Sequence, residues 1–177
     1  MLAVAAAVVL ADAASKRAVH ETLALGERRE VIPGILVLTH VQNTGAAYGL
    51  LAGQRWLLVI TAAAIAAATP LLLRALPVHG RVAWAGPVLT GMILGGAVGN
   101  IAQRATRGYV TDFLQTPPVP LFQVFNLADA SISVAVTALL VLTFLIGDRP
   151  QRQSAGHGDG EEGLPTASVE GAVGREP

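Results

Sequence analysis

Phe125-Asn126-Leu127-Ala128-Asp129-Ala130-Ser131 opens an apolar run that continues to Gly147, and Asp129 is the only charged residue in Leu127–Gly147. At about 1.5 Å of rise per residue, such a run crosses a hydrocarbon layer of roughly 30 Å as a helix. It therefore predicts a membrane span with a carboxylate placed where the hydrocarbon begins. Charges at that depth are expensive and rare, and by default they mark a functional site. A second acid lies on the other side of a Pro-rich connection, in Gly108-Tyr109-Val110-Thr111-Asp112-Phe113-Leu114. Asp112 and Asp129 organise the reading of the remainder, which serves as the scaffold that brings the two carboxylates together.

Of the 177 residues, 53% are hydrophobic and only 14% are charged, with a mean hydropathy of +0.56. That is more apolar surface than a soluble domain of this size can hide. The class is an all-α polytopic membrane protein. Net charge is zero and no basic stripe is present, which removes the electrostatic case for nucleic acid. Cysteine is absent, so disulfides, thiol catalysis and Cys-based zinc sites are excluded together. Any chemistry rests on carboxylates, hydroxyls, amides or His.

The apolar stretch Met1–Leu10 runs into Asp12 and Lys16. Ala11-Asp12-Ala13 after a short apolar core resembles a secretory cleavage site, but the start lacks a basic region and three later spans already make the protein integral. A first transmembrane helix is the better reading. It is short for a span of about 20 residues. Either it runs on to about Val19 with Asp12 and Lys16 inside it, or the natural start lies upstream of Met1, the preferred expectation.

Glu21–Arg55 is a long polar connection with a solvated charge run at Gly26-Glu27-Arg28-Arg29-Glu30. The Pro33-Gly34 turn and the β-branched Ile35–Gln42 predict a small β element at about residues 27–53, with its strand within Val31–Gln42, lying on the membrane surface. Asn43-Thr44-Gly45-Ala46-Ala47-Tyr48-Gly49 sets small residues between two glycines, which suits close approach of a ligand to the backbone as well as an ordinary turn. Trp56–Leu73 and Val82–Ala102 read as the second and third spans, with a late kink at Pro70. Gly91, Gly95 and Gly99 recur every four residues and read as a packing stripe. From Asp148 the chain is rich in Gly, Ser, Glu and Pro, which predicts a disordered tail over 148–177 and a four-helix membrane domain over 1–147.

In an up-and-down bundle, the C-terminal ends of helices one and three and the N-terminal ends of helices two and four share one side. Asp12 and Lys16 at the end of helix one, Asn43–Tyr48 before helix two, Asn100 and Arg104 at the end of helix three, and Asn126 and Asp129 at the start of helix four all fall there. Asn100 and Arg104 are i,i+4 neighbours and Asn126 and Asp129 are i,i+3 neighbours, so each pair shares a helix face. Two carboxylates brought close cannot both ionise cheaply; they share a proton, and one can act as base towards water while the other donates to a carbonyl under attack. A pair of acids near membrane spans also suits a proton or ion site. A divalent metal fits less well, since only Asp carboxylates and amides are at hand. The residues alone thus leave an aspartic peptidase and a proton- or ion-coupled transport subunit open.

Asp12-x-x-x-Lys16, the Asn43–Gly49 segment, Gly95-Gly96-Ala97-Val98-Gly99-Asn100-x-x-x-Arg104, Gly108-Tyr109-Val110-x-Asp112-Phe113 and Phe125-Asn126-Leu127-Ala128-Asp129 together resemble the bacterial lipoprotein signal peptidase (signal peptidase II) family. The resemblance runs from about Asp12 to Gly147, in order. It implies four transmembrane helices with an extracytoplasmic β element, and an intramembrane aspartic endopeptidase that cuts prolipoproteins before a diacylglyceryl-modified Cys. The catalytic dyad maps onto Asp112 and Asp129. Asp12, Lys16, Asn43, Gly45, Asn100, Arg104 and Asn126 match positions that bind substrate or support the site. Arg104 and Asn100 are expected to orient the substrate, Asn126 to hold an aspartate, and Asp12 with Lys16 to form a support pair. Tyr48 and Trp56 read as interfacial anchors, and His20, His40 and His79 as surface residues. The partners implied are diacylglyceryl-prolipoproteins and membrane lipid, with no nucleic acid, no cofactor and no metal, for a monomer in the bacterial cytoplasmic (inner) membrane, its active site at the outer face.

Gln103 stands where the family usually has Asp, Gln123 where Pro is common, and Tyr48 where Phe is common. The family topology would put Lys16, Arg17, Arg28, Arg29, Arg55, Arg104 and Arg107 outside and Arg74, Arg81, Arg149, Arg152 and Arg175 inside, so the positive-inside rule leans against it.

Overall fold

The computed structural model describes residues 1–46, 49–74, 83–117 and 124–147. The expected tail, Tyr48, His79 and Gln123 lie outside the described residues. Four helices, α1 (Leu2–Thr22), α2 (Arg55–Arg74), α3 (Ala85–Arg107) and α4 (Leu127–Gly147), are joined by three strands, β1 (Arg28–Ile32), β2 (Leu36–Asn43) and β3 (Val110–Gln115). Among the described residues α2, α3 and α4 are long and apolar enough to cross a membrane. Helix α1 has comparable length, but Asp12, Lys16, Arg17 and Glu21 keep it out of that class. It does not stop at Asp12–Lys16; it runs through both to Thr22.

Helix α3 is the central element, packed against α1, α2 and α4. Its glycines set the distances. A Cβ on Gly91 would meet Met1 and Val4, and one on Gly95 would meet Ala5 and Val8, so α1 and α3 lie side by side in parallel with backbones nearly touching. On its other face a Cβ on Gly96 would meet Ala128, Ser131 and Ile132 of α4. At the polar-poor end Ala85, Leu89, Ile93 and Ala135 form the buried apolar core between α3 and α4. Helix α3 stops at Gly108, whose left-handed φ of 84° turns the chain while its N–H bonds to the Arg104 carbonyl, the usual glycine stop.

The sheet is antiparallel in the order β1-β2-β3. Its first two strands form a hairpin with Gly34 at φ +70° in the turn, so that the expected strand within Val31–Gln42 is β2, while β1 takes up most of the stretch read as a solvated charge run. The third strand corrects the reading that confined the β element to about 27–53: β2 pairs with Val110–Gln115, so that Val41 faces Asp112 and Asn43 faces Val110. Val110, Thr111 and Phe113 are β-branched or aromatic, which suits a strand in a half-buried sheet. A second apolar cluster, Val19 of α1 and Leu23 just after it with Phe113 of β3, fixes the sheet to that end of the bundle.

Candidate active site

Strand β3 delivers Asp112 and the first turn of α4 delivers Asp129, and Phe125 pairs with the strand so that the next residue links the two. Phe113 and Leu114 both donate their N–H groups to the Phe125 carbonyl, at 3.0 and 2.8 Å, which sets Asn126 beside the strand. Asn126 Nδ2 then donates to Asp112 Oδ1 at 2.6 Å. The same residue caps α4: its Oδ1 accepts from the Asp129 N–H at 3.0 Å, and Asp129 Oδ2 accepts from the Asn126 N–H at 3.3 Å. That reciprocal exchange is a capping box built from Asn and Asp.

The remaining carboxylate oxygens are also held by amides. Asn43, at the end of β2, donates to Asp112 Oδ2 at 2.8 Å, and Asn100, on α3, donates to Asp129 Oδ1 at 2.7 Å. Asn100 Oδ1 in turn accepts from Lys16 Nζ at 2.9 Å and from Asn126 Nδ2 at 3.2 Å. Lys16 pairs with Asp12 Oδ2 at 2.7 Å, and Asp12 Oδ1 accepts from the Ala128 N–H at 3.0 Å. Every expected site residue among these is therefore joined in one continuous network. Asp12, Lys16, Asn100, Asp112 and Asn126 are all buried. The Asn100 amide binds Asp129, Asn126 and Lys16.

Electrostatics follow from that arrangement. Lys16 is neutralised by Asp12, so the two aspartates of interest are held by neutral amides, and among the described residues no cation forms an ion pair with either. Burial, and then the neighbouring Asp129 charge, push the Asp112 carboxyl up to about 6, against the hydrogen bonds from Asn43 and Asn126 and the Lys16 charge, which oppose the rise. Arg104 is within electrostatic reach of both carboxylates, and its Nη2 donates to the Gly45 carbonyl at 2.8 Å. Its buried Nε has no partner among the described residues.

Two glycines have specific duties. The space beside Gly45 is taken by the backbone of Gly49 and Leu50, which a Cβ would meet at 2.8–3.0 Å. The close approach that the sequence suggested for a ligand is thus made by the chain itself. Gly99 departs from the packing role of Gly91 and Gly95, because a Cβ there would lie 2.7 Å from Asp12 Oδ2. Its missing side chain is the room in which the buried carboxylate sits.

The sequence reading missed a second layer. His40 is buried, with Nδ1 on the Leu23 carbonyl at 3.0 Å, and its ring stands edge-on to His20 at 4.5 Å. His20 contacts Thr111 and Arg107, and Gln103 binds Thr111 twice. Neither His20 nor His40 is a free surface group. The i,i+3 and i,i+4 spacings used for the helices could not find these contacts, since most of them join residues far apart in the chain. Among the described residues no group of three or more His, Asp or Glu is arranged to hold a metal.

The family model for "Signal peptidase (SPase) II" matches residues 4–145. The chain is 39% identical over 150 residues to the lipoprotein signal peptidase of Syntrophomonas wolfei, covering 83% of this chain and 94% of that one. It is 42% identical over 158 residues to that of Rhizorhabdus wittichii, covering 81% and 84%. Two solved structures share the fold. A bacterial membrane enzyme determined by the in meso method at 2.3 Å superposes with a TM-score of 0.74 at 27% identity, covering 85% of this chain and 90% of that one. Another, at 1.9 Å, gives 0.67 at 30% identity, covering 82% and 92%. Matched over nearly all its helical part, the chain belongs to the signal peptidase II family of aspartic peptidases, and the transport alternative that its residues left open is closed.

Proposed function

We propose that Asp112 and Asp129 are the catalytic pair of an endopeptidase that removes the signal peptide from diacylglyceryl-modified prolipoproteins, cutting before the lipidated Cys. The observation that carries this is the way both carboxylates are held: each has its oxygens on amide N–H groups, and the buried Lys16 is spent on Asp12. A carboxylate locked in an ion pair stays ionised, whereas one held by neutral amides in a desolvated site can exchange a proton near neutral pH. The two acids titrate as a unit. The ionised member takes a proton from water as its oxygen attacks the scissile carbonyl, and the protonated member donates to the carbonyl oxygen. Collapse of the tetrahedral intermediate returns that proton and sends the other to the departing amine. Arg104, with donors beyond its bond to Gly45, orients the substrate backbone.

In this reading α1 is the first of four spans, its two central charges hidden by mutual pairing. The polar network and the sheet lie at the outer face of the cytoplasmic membrane, and the protein acts as a monomer with 1–147 as the peptidase domain. Purified protein incubated with a diacylglyceryl-modified prolipoprotein should release the signal peptide, read as a gel shift, and unlipidated substrate should be cut poorly at any concentration. Folded protein that cuts neither would end the proposal. For orientation, a Cys introduced within Gly26–Arg29 of this Cys-free chain should react with an impermeant thiol reagent in sealed cells, and protection until lysis would place the pair on the wrong side.

A further inference from the structure

We infer that Gln103 is a positioning residue for Asp112, acting through a hydrogen-bond chain of fixed direction that runs from Gln103 to Thr111 to His20. The inference deepens the reading of Asp112 as a catalytic acid. Thr111 immediately precedes Asp112 and is fully buried. Its N–H donates to Gln103 Oε1 at 2.8 Å and its Oγ1 accepts from Gln103 Nε2 at 2.8 Å. A backbone N–H can only donate, so the orientation of the Gln103 amide is settled by its partner. Strand β3 pairs with β2 along one edge. On its other edge Gln103 takes the N–H of Thr111 while Phe125 takes those of Phe113 and Leu114. The side chain of Gln103 thus stands where a further strand would, and Asp112 is held between two fixed neighbours.

The amide settles more than the strand. Because Gln103 donates to Thr111 Oγ1, the hydroxyl proton of Thr111 is free to go to His20 Nε2, 3.1 Å away. Arg107 Nη1 lies 3.1 Å from the same nitrogen and can only donate. The Arg107 donor requires a lone pair at Nε2, which puts the His20 proton on Nδ1, and the Thr111 hydroxyl then shares that lone pair as a second donor. A carboxylate at position 103 would accept from the Thr111 N–H and hydroxyl, and would turn the hydroxyl away from His20. The neutral amide is therefore what couples the end of α1, through His20, to the strand that carries Asp112.

The test uses the full chain in detergent with Gln103→Leu, Gln103→Glu, Thr111→Val and Thr111→Ser. Gln103→Leu should lower kcat on lipidated substrate by about tenfold to a hundredfold, as expected when a reacting group is displaced by up to about 1 Å, with KM changed less than about twofold. Thr111→Val should fall similarly, the double variant with Gln103→Leu should be no worse than either, and Thr111→Ser should retain activity. Nitrogen NMR of His-labelled protein should show an unprotonated Nε2 on His20 in the wild type. Gln103→Glu should shift the His20 Nε2 resonance, because the Thr111 hydroxyl no longer donates to it while Arg107 still does, and should keep the Thr111 amide protected from exchange; Gln103→Leu should lose that protection. The two NMR readings need no turnover, so they test the clamp even if wild-type protein cuts no lipidated substrate, a failure that would belong to the proposed function alone. Wild-type kcat in Gln103→Leu, a loss confined to KM, or a protonated Nε2 in the neutral wild type would each overturn the inference.

Discussion

Helix α1 carries two ion pairs of the same spacing and the same 2.7 Å N–O separation, Asp12–Lys16 and Arg17–Glu21. In the first the side chains of Lys16 and Asp12 are 6% and 2% exposed, and in the second those of Arg17 and Glu21 are 81% and 59% exposed. The distance between partners therefore says little about what a pair does. Asp12 also holds the Ala128 N–H and Lys16 also holds Asn100, so the buried pair ties α1 to α3 and α4 and orients the amide that holds Asp129. Among the described residues the exposed pair forms no hydrogen bond or ion pair that ties α1 to another element. Pairing two charges in a dry site offsets a desolvation penalty of several kcal/mol per ion, and that expense is tolerated here where it organises the site.

The largest expected effect lies at the centre of the network. Asp112→Asn and Asp129→Asn should each reduce cleavage by several orders of magnitude, and the double variant should be little worse than either, because the two act as one unit. Near-normal turnover in either single variant would remove the pair from the chemistry.

The buried ion pair comes next. Lys16→Met leaves the Asp12 carboxylate buried without its partner, a change that costs about 3–5 kcal/mol. It should appear as a large drop in the melting temperature of detergent-solubilised protein. Adding Asp12→Asn to that variant should recover much of the loss, since a neutral group then occupies the site. A single variant as stable as wild type would contradict the assignment of Lys16 as the compensating charge.

Asp112 supplies a pH-dependent counterpart. Its free value of 3.8 rises to about 6 in the fold, so between those values the folded state keeps a proton that the unfolded chain has released, and wild-type stability falls as pH rises through that window. At 1.36 kcal/mol per pH unit the whole window amounts to about 3 kcal/mol. The stability of Asp112→Asn relative to wild type should accordingly improve by about that amount from pH 4 to pH 7, on top of any constant loss from altered bonds to Asn43 and Asn126. A difference that stays flat with pH would show that the carboxyl is not held up by burial.

The glycine stripe on α3 repeats the comparison between a site-bearing and a merely packed region. A Cβ at Gly95 would lie 2.6 Å from the Ala5 carbonyl, and one at Gly99 would lie 2.7 Å from Asp12 Oδ2. Both Gly95→Ala and Gly99→Ala should destabilise by about 1–3 kcal/mol, the usual range for overpacking. Only Gly99→Ala should also lower kcat per folded molecule, because it moves the carboxylate that fixes Lys16 and the start of α4. Equal losses of kcat in both variants would mean that the stripe is uniform.

These contrasts also show where the sequence was readable. Helical spacing placed Asp12, Lys16, Asn100, Arg104, Asn126 and Asp129 at one end of the bundle, because each lies on an apolar helix whose period is visible, and the structure joins most of them in one network. It could not tell Asp12–Lys16 from Arg17–Glu21, nor Gly99 from Gly91 and Gly95, since the difference is made by what a third element brings into contact. Strand β3 was overlooked although Val110, Thr111 and Phe113 have the composition of a strand, because its partner β2 lies far upstream and pairing over that distance leaves no periodic trace. Gln103 was visible only as a departure from the family pattern, and its meaning depends on facing Thr111 across a sheet edge.

The smallest expected effect completes the comparison on α1. Arg17→Ala removes an ion pair as short as the buried one, yet both members are largely exposed, and in exposed pairs Coulombic gain is screened and offset by the entropy of holding two long side chains. Its polarity is also the weaker one: Arg17 precedes Glu21, which sets the acid nearer the C-terminal end of the helix, where the macrodipole disfavours negative charge. Arg17→Ala should therefore leave the melting temperature and kcat indistinguishable from wild type at any ionic strength between about 0.05 and 1 M. A loss approaching that of Lys16→Met would show that position on the helix, rather than burial and third-party hydrogen bonds, decides what an ion pair contributes in this bundle.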